Sequence, residues 1–182
     1  MSSITIPKEG LALDSTEIFP LLLTPEEIQE AEKQDKINVA YHEAGHAVLA
    51  LELRCDHVRA SIERNPNGPS FGEHGWIGNC QYWALADLLE VVAPAIGVAG
   101  EVAVLMLKGE WHEAMPWDLG LDAFNETDAR SLTEDNVVMA LRDASEILEE
   151  RWSRVEAIAQ ALLQDEFLTD GMILEIIGRE AA

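Results

Sequence analysis

Basic residues are scarce in this chain. Lys and Arg number 12 in 182 residues against 34 Asp and Glu, a formal net charge of −22 with histidine neutral. A field of that sign repels phosphate backbones and anionic headgroups, so neither nucleic acid nor a membrane surface is an expected partner. Cysteine is nearly absent: Cys55 and Cys80 stand alone, outside any CxxC pair. That speaks against a disulfide framework or a structural zinc knuckle and for reduced thiols in the cytoplasm. A G-x-x-x-x-G-K-[ST] phosphate loop is missing, so no ATP motor is expected. The first residues lack a basic stretch followed by an apolar core, so no secretory signal is expected. No segment repeats at a fixed period. The longest apolar stretch, residues 91–107, is interrupted by Pro94 and Glu101 and reads as a buried helix rather than a membrane span.

What the chain does contain is one HExxH box, His42-Glu43-Ala44-Gly45-His46. On a helix the two histidines lie one turn apart on the same face, so both imidazoles can reach one zinc ion. Glu43, displaced about 100° from His42, can lean over the open coordination position and accept a proton from water there. This is the chemistry of a zinc metallopeptidase. The helix it needs is supported by Ile37, Tyr41, Ala44, Val48 and Leu51 at three- and four-residue spacing, and by a capping-box start at Thr24-Pro25-Glu26-Glu27. The pattern predicts helix from about residue 25 to 53, with Asp35 as the place for a break.

Two histidines do not complete a catalytic site, which usually has three protein ligands and a water. A metzincin would place a histidine six residues after His46, but Glu52 stands there and Leu49 replaces the intervening glycine. A thermolysin-like arrangement would draw a glutamate from a later helix, for which Glu101 is the candidate. Asp118 and Asp122 are further acidic residues in the loop that follows.

Three stretches resemble the peptidase domain of the FtsH-type AAA+ zinc metalloproteases, in the same order. They are Val39-Ala40-Tyr41-His42-Glu43-Ala44-Gly45-His46-Ala47-Val48, then Ala86-Asp87-Leu88-Leu89-Glu90-Val91-Val92-Ala93 with Gly97-Val98-Ala99-Gly100-Glu101-Val102-Ala103, and last residues 157–168 with Gly171 and Ile173. The resemblance covers about residues 37 to 178. It implies Asp128, in Asn125-Glu126-Thr127-Asp128, as the third zinc ligand, opening a helix with Thr127 as its N-cap. It also implies hexameric rings, so a homo-oligomer or a separate ATPase partner belongs among the expectations. Val104 stands where the family carries a second glutamate, and Glu101 replaces a basic residue. Gly75-Trp76-Ile77 is the nearest counterpart of the family's substrate-side strand.

The expected fold is mainly α (α+β), a helical peptidase domain with a small sheet or hairpin beside the HExxH helix. An irregular arm is expected over residues 1–20 and a single domain over residues 21–182. Strands are predicted at residues 58–64 and 75–82, joined by a Pro/Gly-rich loop. Helix resumes at Ala84, kinked or divided at Pro94 and stopped by Gly109. The loop over residues 110–127 carries His112, a possible ligand or substrate contact. One long amphipathic helix is predicted from Val137 through Leu162, then a short terminal helix capped by Thr169-Asp170.

The expected function is zinc-dependent hydrolysis of peptide bonds in unfolded or flexible polypeptides, with His42, His46 and Asp128 on Zn2+ and Glu43 as general base. The alternative is a catalytically silent zinc-binding interaction or regulatory module built on the same fold.

Overall fold

The computed structural model describes residues 24–66, 75–112 and 115–180. The arm expected over residues 1–20 and most of the loop between the first two strands lie outside them. The fold is mainly helical with one small antiparallel sheet, as the periodicities predict.

Helix α1 spans Pro25–Glu52. Its start is the capping box: Glu27 N–H donates to Thr24 Oγ1 at 3.2 Å, and Thr24 N–H donates to Glu27 Oε2 at 2.7 Å. No break occurs at Asp35. Its carboxylate accepts the backbone N–H of Trp76 at 2.8 Å, so it braces the neighbouring strand instead of competing with its own helix. The first turns of α1 are exposed, whereas Ala40, Tyr41, Ala44, Ala47 and Val48 are buried. The helix therefore drives its HExxH half through the core.

Strands β1 (Asp56–Arg64) and β2 (Trp76–Trp83) pair antiparallel, Ala60 opposite Cys80 and Ile62 opposite Gly78. Val58, Ala60 and Ile62 alternate into the core. A third strand, β3 (Phe167–Leu168), adds to the far side of β1 and gives the order β2-β1-β3. No strand is predicted here from the sequence, where these residues fall between the two expected C-terminal helices. Glu166 reverses the chain with φ 59° and offers its carbonyl to Ile62 N–H at 2.8 Å; with no glycine there, the pattern carries no sign of the turn. No described strand pairs with the outer edge of β2.

Helix α2 (Ala86–Lys108) runs unbroken through Pro94, so the chain is not divided there. The proline removes one hydrogen bond, but the lost acceptor is the Glu90 carbonyl, at an exposed position. Burial of Val92, Ala95, Ile96, Val98, Ala99, Val102 and Ala103 holds the helix on both sides of the defect. Gly109 ends it in the left-handed conformation, φ 69°. By length and composition α2 could cross a membrane; 56% of its most apolar window is buried within the fold.

After a short helix α3 (Met115–Asp118) and two 3₁₀ turns at Leu121–Ala123 and Asp128–Ser131, the predicted long amphipathic helix is two helices: α4 (Val137–Glu150) and α5 (Trp152–Asp165). The chain breaks at Arg151, φ −115° and ψ 19°. The three-four spacing continues across the break, so periodicity does not reveal it. The break lets α4 pack on α2 while α5 packs on α1. Helix α6 (Asp170–Glu180) closes the described chain, with Ile173 fully buried against the common core.

Candidate metal centre

Two close approaches bring the elements of the site together. Gly45 of α1 faces the Ala99 carbonyl of α2 so tightly that a Cβ would lie 2.5 Å from that oxygen. Gly97 faces the carbonyl of Asp128 at the same notional distance, seating the 3₁₀ turn on α2. The crossing of α1 and α2 thus places the HExxH face and the start of that turn around one point.

At that point stand His42, His46 and Asp128, whose ligand atoms all lie within 4.8 Å of one another. His42 Nε2 is 3.1 Å from Asp128 Oδ2, His46 Nε2 is 3.0 Å from His42 Nε2, and His46 Nε2 is 3.5 Å from Asp128 Oδ1. A tetrahedral cation with bonds of about 2.0–2.1 Å separates its ligands by about 3.3 Å, so the triangle has the right size. The tautomer of His46 also fits. Its Nδ1 lies 2.6 Å from the Ile96 carbonyl oxygen, which can only accept, so Nδ1 carries a proton and Nε2 is the nitrogen left to give a lone pair to a cation. Two imidazole nitrogens at 3.0 Å need a proton or a cation between them. These three residues can hold a metal ion.

Asp128 is itself held. Asn125 Oδ1 accepts the backbone N–H groups of Thr127 and Asp128 at 2.9 and 3.0 Å, and Asn125 Nδ2 donates to Asp128 Oδ2 at 2.5 Å. This corrects the expected N-cap: Thr127 makes no side-chain capping bond, and Asp128 opens a 3₁₀ turn rather than an α-helix. Asn125 takes the role because its amide reaches two successive N–H groups and the carboxylate at once. An Asn three residues before an Asp in a loop is a readable sign of such a turn.

The electrostatics follow from burial and proximity. Burial works to raise the pKa of Asp128, but hydrogen bonds from His42 and His46, together with their charges, more than offset it and hold the carboxyl well below its ordinary range. For His46, burial works downward, while the bond to Asp128, the charges of Glu43 and Asp128 and the Ile96 contact carry it above its usual value. Burial pushes Glu43 up to about 7, opposed by the charge of His46 and helped by that of Asp128. Glu43 is only 5% exposed, an unusual place for a carboxyl without a task.

No protein-family model matches this chain, and no curated protein matches it. The site is therefore read from its own geometry.

The other acidic candidates stay outside the cluster. Glu101, half-buried on α2, is one residue past the site-facing Gly100; burial raises its pKa, against the opposing charge of Lys108. Asp118, at the end of α3, and Asp122, in the 3₁₀ turn that follows, are exposed, and neither joins the ligand group. His112 is exposed and lines a separate cavity of about 610 Å³ with Trp111, Pro116, Arg142 and Ser145. Cys80, half-buried on β2, is pushed well above its ordinary pKa by burial, with the charges of Glu43 and Asp128 adding. Both cysteines are free.

Proposed function

We propose that this protein is a zinc-dependent metalloendopeptidase of the kind found in FtsH-type proteases, acting on unfolded or flexible polypeptides. The observation that carries the reading is the His42–His46–Asp128 triangle, with its tetrahedral dimensions and with His46 Nδ1 engaged by the Ile96 carbonyl, beside a buried carboxyl in the HExxH register. Two nitrogens and one carboxylate oxygen are a ligand set suited to zinc. When bound, zinc would supply a Lewis acid that lowers the pKa of water from 15.7 toward about 7 and polarises a carbonyl.

The chain's own residues divide the remaining work. Glu43 takes the proton from the attacking water and passes it to the leaving amine, the role its place in the HExxH register gives it. Ile96, through its carbonyl, keeps His46 in the ligating tautomer. Asn125 fixes the rotamer of Asp128. The outer edge of β2, paired with no described strand, offers backbone donors and acceptors to an extended peptide, and Gly78 on that strand faces Glu43. Only an extended chain can lie along such an edge, which is why unfolded polypeptide is the proposed substrate class. The acidic surface disfavours nucleic acid and anionic lipid, in keeping with a cytoplasmic setting.

Hydrolysis of unfolded casein with added zinc tests the proposal. Activity is expected in the wild type, absent with chelator and absent in Glu43→Gln, with zinc held at one per chain in that variant. If wild type and Glu43→Gln are equally inert across several unfolded substrates, the protein is a zinc-binding interaction module instead.

A further inference from the structure

Apart from Gly120, whose nearest atom is the carboxylate of its exposed loop neighbour Asp122 at 2.6 Å, the close-contact glycines among the described residues fall into two kinds. At Gly45 and Gly97 the atom nearest to an added Cβ is a backbone carbonyl oxygen, so those positions let chain approach chain. Gly100 and Gly78 differ: the three nearest atoms at each belong to the side chains of the site. A Cβ on Gly100 would lie 2.5 Å from His42 Cε1, His42 Nε2 and His46 Nε2. A Cβ on Gly78 would collide with Glu43 Oε1 and lie 2.5 Å from its Cγ.

Backbone conformation does not call for glycine at either place. Among the described glycines only Gly109 has positive φ. Gly100 sits inside a helix and Gly78 inside a strand, where glycine is a poorer choice than alanine for stability. What the positions share is that any side chain would occupy space used by the ligands or by the base.

Resting on the metallopeptidase reading, we propose that Gly100 and Gly78 are positioning residues of the site, each for a different half of the chemistry. Gly100 keeps clear the floor over which the two Nε2 atoms converge, and so sets metal affinity. Gly78 gives the Glu43 carboxylate its resting place against β2, and so sets turnover. A methyl group at 100 turns the imidazoles away from each other. A methyl group at 78 turns the carboxylate away from the reacting water and leaves the ligands alone.

Zinc titration, peptide hydrolysis and thermal melting in chelator, on wild type, Gly100→Ala and Gly78→Ala, test this. Gly100→Ala is expected to lose about 100-fold in zinc affinity while its chelated form melts close to wild type, since alanine suits the helix and the His42 ring, 21% exposed, can swing aside to relieve the contact. Gly78→Ala is expected to hold zinc within about 3-fold of wild type and to lose about 100-fold in kcat with little change in KM. Adding Gly78→Ala to Glu43→Asp, whose shorter side chain vacates the contact, should cost little beyond Glu43→Asp alone.

Unchanged zinc affinity in Gly100→Ala overturns the first half, as does a parallel drop of affinity and chelated melting temperature, which would mark ordinary packing. Full kcat in Gly78→Ala, or a loss that adds fully to that of Glu43→Asp, overturns the second. A wild type that binds no zinc sinks the metallopeptidase reading and this inference with it. A wild type that binds zinc without hydrolysing any peptide sinks the peptidase reading and the Gly78 half, and leaves Gly100 to be decided by affinity.

Discussion

Asn125 holds Asp128 at both ends of its amide: Oδ1 accepts the backbone N–H at 3.0 Å while Nδ2 donates to carboxylate Oδ2 at 2.5 Å. These bonds reach the triangle through Asp128, so through them Asn125 acts on a metal by way of that carboxylate. Loss of such an outer partner typically lowers metal affinity by about 10–100-fold. Asn125→Ala is expected to fall in that range in a competitive zinc titration, and Asn125→Asp to do no better, because it exchanges the donor for a second negative charge.

Metal should also stabilise the fold. A ligand bound only by the native state, at about 1,000 times its Kd, adds about 4 kcal/mol. For a domain of this size that corresponds to a rise in Tm of about 8–16 °C. Melting curves with zinc and with chelator should differ by that order in wild type. In His46→Ala and Asp128→Ala the two curves should nearly coincide.

Gly45→Ala sets two effects against each other. Alanine favours the helix over glycine by about 1 kcal/mol. Its Cβ, however, would meet the Ala99 carbonyl oxygen at 2.5 Å and the Ala103 Cβ at 2.8 Å, and a backbone carbonyl in a buried helix cannot rotate away. Overpacking costs about 1–3 kcal/mol and should win. A lower urea midpoint in chelator, where zinc binding cannot contribute, checks the sign.

Glu52, at the end of α1, is the common partner of Arg151 and Arg154, with Arg151 Nε at 3.2 Å and Arg154 Nη1 closer still. This pins α1 to the point where α4 gives way to α5. The groups are 22–38% exposed, so water screens much of the attraction. Glu52→Gln is expected to cost about 1 kcal/mol at low salt, with the difference shrinking in about 1 M salt. Denaturation at the two ionic strengths reads both outcomes.

Apart from the break expected at Asp35, which does not occur, helix α1 was legible because its signals are local. The capping box reaches three residues, the apolar stripe repeats every turn, and His42 and His46 share a face by helical geometry alone. Strands β1 and β2 were legible for the same reason, through alternation and the proline and glycine between them. Asp128 could be named only through a resemblance, since 82 residues separate it from His46 and no local spacing relates them. The unbroken path through Pro94, the division at Arg151 and the pairing of β3 with β1 were not legible. Each depends on what lies opposite in space.

The sequence by itself determined the mainly helical class and the placing of His42, Glu43 and His46 on one helix, because those follow from side-chain chemistry and short-range periodicity. Tertiary structure alone decided that Asp128 completes the triangle while Glu101, Asp118 and Asp122 do not. It also decided that the Ile96 carbonyl selects the His46 tautomer. The physical reason is distance: coordination and hydrogen bonding act over about 2–3 Å, and only the crossing of α1 over α2 brings groups from α1, α2 and the turn at residues 128–131 within that reach.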